Sequence, residues 1–205
     1  MKNRTLVLIG LSALAVLNAH ANQEQLFKSI KDTHVETSRG SQQLATTLNA
    51  LNALTAQKKG DLRPAYNGFV AEVDKTKAAA EETRKRVQWM GSDGRQYFRD
   101  WQKTVDSISN ASLKKKAQKR LDSVNESYGK VETSLQEAAN KFRPFLSDLD
   151  DIQKALASDV TPAGVKAIRG TVRDATWNHQ FVNNAINSAL KEMGKMEKAL
   201  ASEAK

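Results

Sequence analysis

The chain has no cysteine, only three prolines and ten glycines in 205 residues, and 6% aromatic content. Without cysteine there is no disulfide framework, thiolate metal site, cysteine nucleophile, covalent haem attachment or lipid-modified N-terminal cysteine. Scarce proline and glycine leave little to stop a helix, and the surplus of Ala, Lys, Gln and Glu is the composition of long helices. Strand-like alternation of useful length is also missing. So are a Gly-x-Ser-x-Gly elbow, a glycine loop ahead of a phosphate-binding lysine and a His-Glu-x-x-His pair. The carboxylates of Glu81-Glu82 and Asp150-Asp151 are chain neighbours, so a helix points the members of each pair in different directions. These absences argue against an enzyme, and no cofactor is expected.

The N-terminus has a tripartite order. Lys2 and Arg4 form a basic start, an apolar run continues from Leu6 to Leu17, and Ala19-His20-Ala21 places small residues where a signal peptidase reads them. The run is too short to span a bilayer. Residues 1–21 are therefore expected to be a bacterial signal peptide, with the mature protein starting near Asn22 in the periplasm or secreted, and not a lipoprotein. Removing 21 of 205 residues leaves 184, enough for one domain with a substantial core. Losing Lys2 and Arg4 lowers the formal charge from +9 to +7. A basic exported protein meets anionic lipid, envelope polysaccharide or acidic partners more readily than nucleic acid.

Apolar residues recur at steps of three and four through four segments. The clearest ladder is Val124, Tyr128, Val131, Leu135, Ala138, Phe142, Phe145, Leu149, Ile152 and Leu156, a 3.5-residue period that keeps one seam toward a partner helix. A second reads Tyr66, Phe69, Val73, Ala80, Val87, Gly94, Phe98, Trp101, Val105 and Ile108. The first segment is weaker, with Ile30, His34, Thr37, Ser41, Leu44, Leu48 and Leu51, and the last runs from Val165 through Ile186 to Leu200.

Breaks fall at Lys58-Lys59-Gly60-Asp61, at Ser109-Asn110-Ala111-Ser112 and at Asp159-Val160-Thr161-Pro162. Asn110 or Ser112 suits an N-cap, Thr161 another, and Pro64 and Pro162 suit opening turns. The ladder keeps its phase across Gly91 and Gly94, so one softened helix is expected there, and Pro144 should kink its helix without ending it. Residues 22–205 then form one all-α domain, with helices at about 23–58, 62–108, 112–157 and 162–202. Each is roughly 50–70 Å long at 1.5 Å per residue. Short connections make neighbours antiparallel, giving an elongated up-down-up-down bundle with coiled-coil-like packing. A three-helix core with the first helix packed loosely is the alternative.

Tyr66-x-x-Phe69, Arg86-Val87, Tyr97-Phe98-x-x-Trp101, Ile108-Ser109-Asn110-x-x-Leu113, Arg120-Leu121, Tyr128 and Pro144-x-Leu146 carry a family likeness over residues 62–156. There the chain resembles a family of uncharacterised bacterial exported proteins with long coiled-coil helices. The resemblance implies a helical, exported protein and adds no mechanism.

Two surface candidates stand out. Lys114, Lys115, Lys116, Lys119 and Arg120 put five cations and no acid in seven residues at a helix start, where the macrodipole disfavours positive charge. Lys191, Lys195 and Lys198 fall at the same end, and Asp148, Asp150, Asp151 and Asp159 at the opposite, more acidic one. The run reads either as a solvated face or as an anionic-surface contact. Trp89 and Met90, beside Gly91 and with Trp89 off the ladder, read either as core or as a partner contact. A metal or haem site would call on His34, His179 and Met90 or Met193, but the two histidines differ in height by roughly 18 Å in an antiparallel bundle. They are expected to be packed or solvated, with no metal bound. The reading is an exported, non-enzymatic envelope protein acting as a structural or interaction module, through a protein partner or self-association. The alternatives are a binder of anionic membrane or polysaccharide through the basic end, and a ligand- or cofactor-carrying bundle.

Overall fold

A computed structural model describes the backbone of residues 5–201 and the side chains of residues 21–201, and every regular element among them is a helix. In chain order these are α1 (Thr5–Ala56), α2 (Arg63–Asp106), α3 (Ala111–Ser158), α4 (Pro162–Ala167) and α5 (Arg169–Ala201). The all-α class read from the ladders is the class observed. Of the signal-peptide segment, Lys2 and Arg4 lie outside the described residues, as do the side chains of the apolar run, Ala19 and His20. α1 starts at Thr5 and not near residue 23, which Leu- and Ala-rich sequence permits because both are strong helix formers.

Local chemistry sets the boundaries. After α1 the chain turns through Gly60 at φ 88°, a left-handed conformation that other residues resist. Asp61 Oδ1 accepts from the Arg63 amide at 3.0 Å, and Pro64 sits in the opening turn of α2. Asn110, and not Ser112, caps α3 by accepting from the Leu113 amide at 3.0 Å. Thr161 caps α4, accepting from the Gly164 amide at 3.2 Å. The single helix expected over 162–202 is instead α4 and α5, parted at Ile168. Its hydrogen bonds still step across, from the Ile168 amide to Gly164 and from the Val172 amide to Ile168, at 3.3 and 3.0 Å. Gly164 and Gly170 flank this joint, and glycine is the weakest helix former after proline. Pro144 does not end α3. It is exposed, and the carbonyl it deprives of a partner belongs to exposed Asn140, where water can serve.

α1 packs chiefly on α2, and α3 chiefly on α5, with thinner contacts between α1 and α5 and between α2 and α3. Partners on α1 and α2 run in opposite order, from Asn22 with Asp100 to Thr47 with Thr76. On α2 and α3 they run from Gln102 with Gln118, through Met90 with Tyr128, to Tyr66 with Gln153.

The interior is divided. One cluster gathers Leu51, Phe69, Phe145, Leu149, Ile152 and Val182, and a second gathers Leu26, Ile30, Met90, Tyr97, Tyr128 and Met193. Buried Thr33, Thr37, Thr47, Thr76 and Ser134 lie along the same helices. Most pair locally: Thr47 and Thr76 hydroxyls meet at 2.7 Å, and Thr33 donates to the Ser29 carbonyl at 2.7 Å. Ala80 and Val87, ladder positions of α2, are only half-buried. Both border an opening, and Val87 also packs against the second cluster.

α2 runs unbroken through Gly91 and Gly94, both buried. At Gly94 the ring of Tyr128 lies against the backbone, and the Tyr128 hydroxyl donates to the Met90 carbonyl at 2.8 Å. Burial, then the Glu132 carboxylate, hold this phenol well above its ordinary pKa. It stays a protonated donor at any physiological pH.

Candidate functional site

The opening beside Ala80 and Val87 is a groove of about 720 Å³ between α2 and α3. The two helices are joined at both ends of it. Tyr66 donates to the Gln153 carbonyl at 3.1 Å and Lys77 pairs with Asp150 at 2.7 Å on one side, with Tyr128 on Met90 on the other. Between them Ala79 and Ala80 face Ala138 and Ala139, too short to meet. Leu44, Leu135, Phe142 and Ile186 contribute apolar surface, and Glu81, Arg84, Glu132, Gln136 and Arg143 stand around the groove. Thr37 also borders it; its hydroxyl is buried and has no hydrogen-bond partner among the described residues. No signal in the ladders revealed the groove, because alanine counts as apolar in periodicity whether or not it reaches its neighbour.

At one end of the bundle stand the start of α3, the last turns of α2 and α5, and Asn22 of α1, whose amide donates to Asp100 at 2.8 Å. Gln23 of α1 donates to the Leu200 carbonyl of α5 at 3.1 Å at this end. Lys114 is tied down by Asp106, donating to its carbonyl at 3.1 Å. Lys115, Lys116, Lys119 and Arg120 are exposed, and the first three form no ion pair among the described residues. Leu113 beside them is 56% exposed, an apolar residue in a basic setting that the ladders did not single out. The opposite end is not the acidic counterpart expected. Asp150 is engaged by Lys77, and Lys58, Lys59, Arg63, Lys154, Lys166, Arg169 and Arg173 fall among the same helix termini. The loop after α1 and the start of α5 bring these cations to the tip that holds Asp148, Asp151 and Asp159.

Trp89 is 54% exposed, with the Arg86 guanidinium 5.0 Å from its ring centroid. Met90 is fully buried, since one residue further turns the helix about 100° toward the second cluster. The candidate contact therefore narrows to Trp89. A larger aromatic surface escaped the sequence reading: Trp177 and Phe181 on α5 are 60% and 41% exposed and pack edge to face at 5.4 Å. The signal was available, since both fall between the ladder positions Ala175, His179 and Val182.

The histidines sit far apart. His34 Nδ1 is 2.6 Å from Glu197, whereas His179 lies edge-on to Phe145 at 5.7 Å, about 27 Å further along α5. Burial lowers the pKa of His179. The unfolded chain therefore binds the proton more readily than the folded one, so this residue's contribution to stability is present above about pH 6.5 and is lost as pH falls. The unfolding midpoint should drop between pH 7.5 and 5.5, and by less in His179→Gln; equal drops in both would locate the sensitivity elsewhere.

These features define an all-helical bundle with a lateral groove, exposed aromatics and a basic end. The chain belongs to DUF2959, a family of proteins of unknown function, whose model matches residues 16–200. The likeness carried by residues 62–156 thus extends over most of the chain. No curated protein and no solved structure matches it.

Proposed function

We propose that this is an exported, non-enzymatic protein of the bacterial envelope, cleaved after Ala21, that works as a structural or protein-interaction module. Its framework is a single domain of four long antiparallel helices with coiled-coil-like packing, α4 and α5 together making the fourth; the opposed order of partners on α1–α2 and α2–α3 supports this. The observation that carries the interaction reading is the exposed Trp177–Phe181 pair, since large aromatics left in water on a helix face are the residue types that anchor protein interfaces. Mature protein used as bait in envelope extract should retain a partner, or a second copy of itself, that the Trp177→Ala/Phe181→Ala variant loses. Equal capture by both would remove this face from the function.

A second reading, attachment to an anionic surface through the basic end, is favoured by exposed Leu113 among Lys115, Lys116 and Lys119. Each cation near an anionic leaflet contributes roughly 1 kcal/mol, so this end supports reversible attachment. Mature protein should sediment with anionic vesicles at low salt. Release should follow as ionic strength rises and the screening length shrinks to about 8 Å. Replacing Lys114, Lys115, Lys116 and Lys119 with Gln should abolish sedimentation and leave the helical spectrum intact. Undiminished sedimentation of that variant would make the run a solvated helix face.

A further inference from the structure

We propose that two copies of this chain pair about a two-fold axis through the uncharged outer face of α5, with Trp177 and Phe181 as anchors. The proposal rests on the interaction reading of that aromatic pair and names the partner as a second copy.

Missing charge defines the face. Lys, Arg, Asp and Glu make up 27% of the chain, yet residues 40–57 and 175–190 hold none of them, and beyond residue 23 no other uncharged run is as long. The fold brings these two runs to one height. The Ser41 hydroxyl donates to Asn183 at 3.4 Å, and Leu44, Leu51, Val182 and Ile186 share one core cluster. With their inner sides buried together, their outer sides form one surface. Gln42 and Asn49 of α1 and Gln180 and Asn184 of α5 stand exposed there with Trp177 and Phe181. Lys141 of α3, 5.8 Å from the Phe181 ring, marks the edge. Aromatics present and charge depleted is the composition of an interface centre.

The same composition selects the partner. A chain of net charge +9 repels its own copies, and a face without charge removes that cost at the contact. A two-fold axis sets one patch against itself. Charged residues near the axis would put like against like, whereas an amide carries donor and acceptor together and pairs with another amide. Gln180 and Asn184 are neighbours one turn apart on the helix surface. An axis between them sets Gln180 of each copy against Asn184 of the other, with the aromatic rings to the sides. Two helices about 10 Å wide over the rise of residues 175–190, about 24 Å, present roughly 480 Å² per copy. That is the size of a transient interface, below about 1,200 Å² in total.

Sedimentation velocity on full mature protein over a concentration series should show a monomer–dimer equilibrium. It should tighten as salt rises, because screening weakens the repulsion between two basic copies. Gln180→Lys/Asn184→Lys and Gln180→Glu/Asn184→Glu should each weaken dimerisation about tenfold or more, since like charges then face each other across the axis. An equimolar mixture of the two should dimerise at least as tightly as the parent. Both positions are exposed, so the helical spectrum and thermal midpoint should stay close to the parent's. Trp177→Ala/Phe181→Ala should be monomeric throughout. A monomeric parent, either charged variant dimerising like the parent, or a mixture no tighter than its components would overturn the second copy as partner. If the parent is monomeric and bait capture from envelope extract still depends on Trp177 and Phe181, the interaction reading stands with a different protein as partner. If capture is also independent of them, that reading falls too.

Discussion

Truncating Phe145 to alanine is expected to lower the unfolding free energy by about 3–5 kcal/mol. The ring is fully buried and is packed between Phe142, with centroids 6.4 Å apart, and His179 at 5.7 Å. Leu149, Ile152 and Val182 belong to the same cluster. The loss combines the transfer free energy of the ring with the cavity left behind, which stays open where the surrounding helices hold their spacing. Phe181→Ala supplies the contrast, because that ring is already partly in water and its removal opens no cavity. Chemical denaturation should show a large fall in midpoint at constant slope for Phe145→Ala and little change for Phe181→Ala. Comparable losses in the two variants would mean the core is not where the structure puts it.

Gly94→Ala and Gly91→Ala should shift stability in opposite directions, although three residues separate them on one helix. A Cβ at Gly94 would overlap the Tyr128 ring, reaching Cε1 at 2.8 Å and approaching the hydroxyl closer still. Tyr128 cannot retreat without giving up its hydrogen bond to the Met90 carbonyl, leaving a buried hydroxyl unpaired. Overpacking of this kind costs about 1–3 kcal/mol, more than the roughly 1 kcal/mol alanine gains over glycine in a helix. At Gly91 the nearest atom is the flexible tip of Arg95 at 3.4 Å, so the helix gain survives. For a chain of this size 1 kcal/mol moves the thermal midpoint by about 2–4 °C. The midpoint should fall for Gly94→Ala and rise for Gly91→Ala, and a rise in both would mean that Tyr128 does not pack against Gly94.

The ladder of α3 was legible at all but one of its positions: Val124, Tyr128, Val131, Leu135, Ala138, Phe145, Leu149, Ile152 and Leu156 are buried, and Phe142 is half-buried beside the groove. The ladder of α2 was legible only at its two ends. Ala80 and Val87 keep the phase, yet the helix opposite them also presents alanine, and periodicity registers the direction of a side chain without its reach. Gly94 shows the converse. It occupies a ladder position with no side chain to bury, and only the Tyr128 ring coming from α3 explains why it is there. At the joint near Ile168, Gly164 and Gly170 signalled weakness, but one residue of departure with the hydrogen bonds carried across leaves no mark in an apolar pattern.

Helical class, the positions of the loops, the cap at Thr161, a cap at Asn110 or Ser112, and the cation run from Lys114 to Arg120 were determined by sequence alone. Each depends on interactions within a few residues: hydrogen bonds of three or four steps, a proline at an opening turn, charges adjacent along one chain. Tertiary structure alone decided that Met90 is core while Trp89 is surface, that Lys58, Arg63 and Lys166 offset the acidic tip, and that α2 and α3 part around a groove. These are outcomes of which residues from distant segments arrive at one height and how far their side chains reach, and that depends on the rotation and spacing of whole helices.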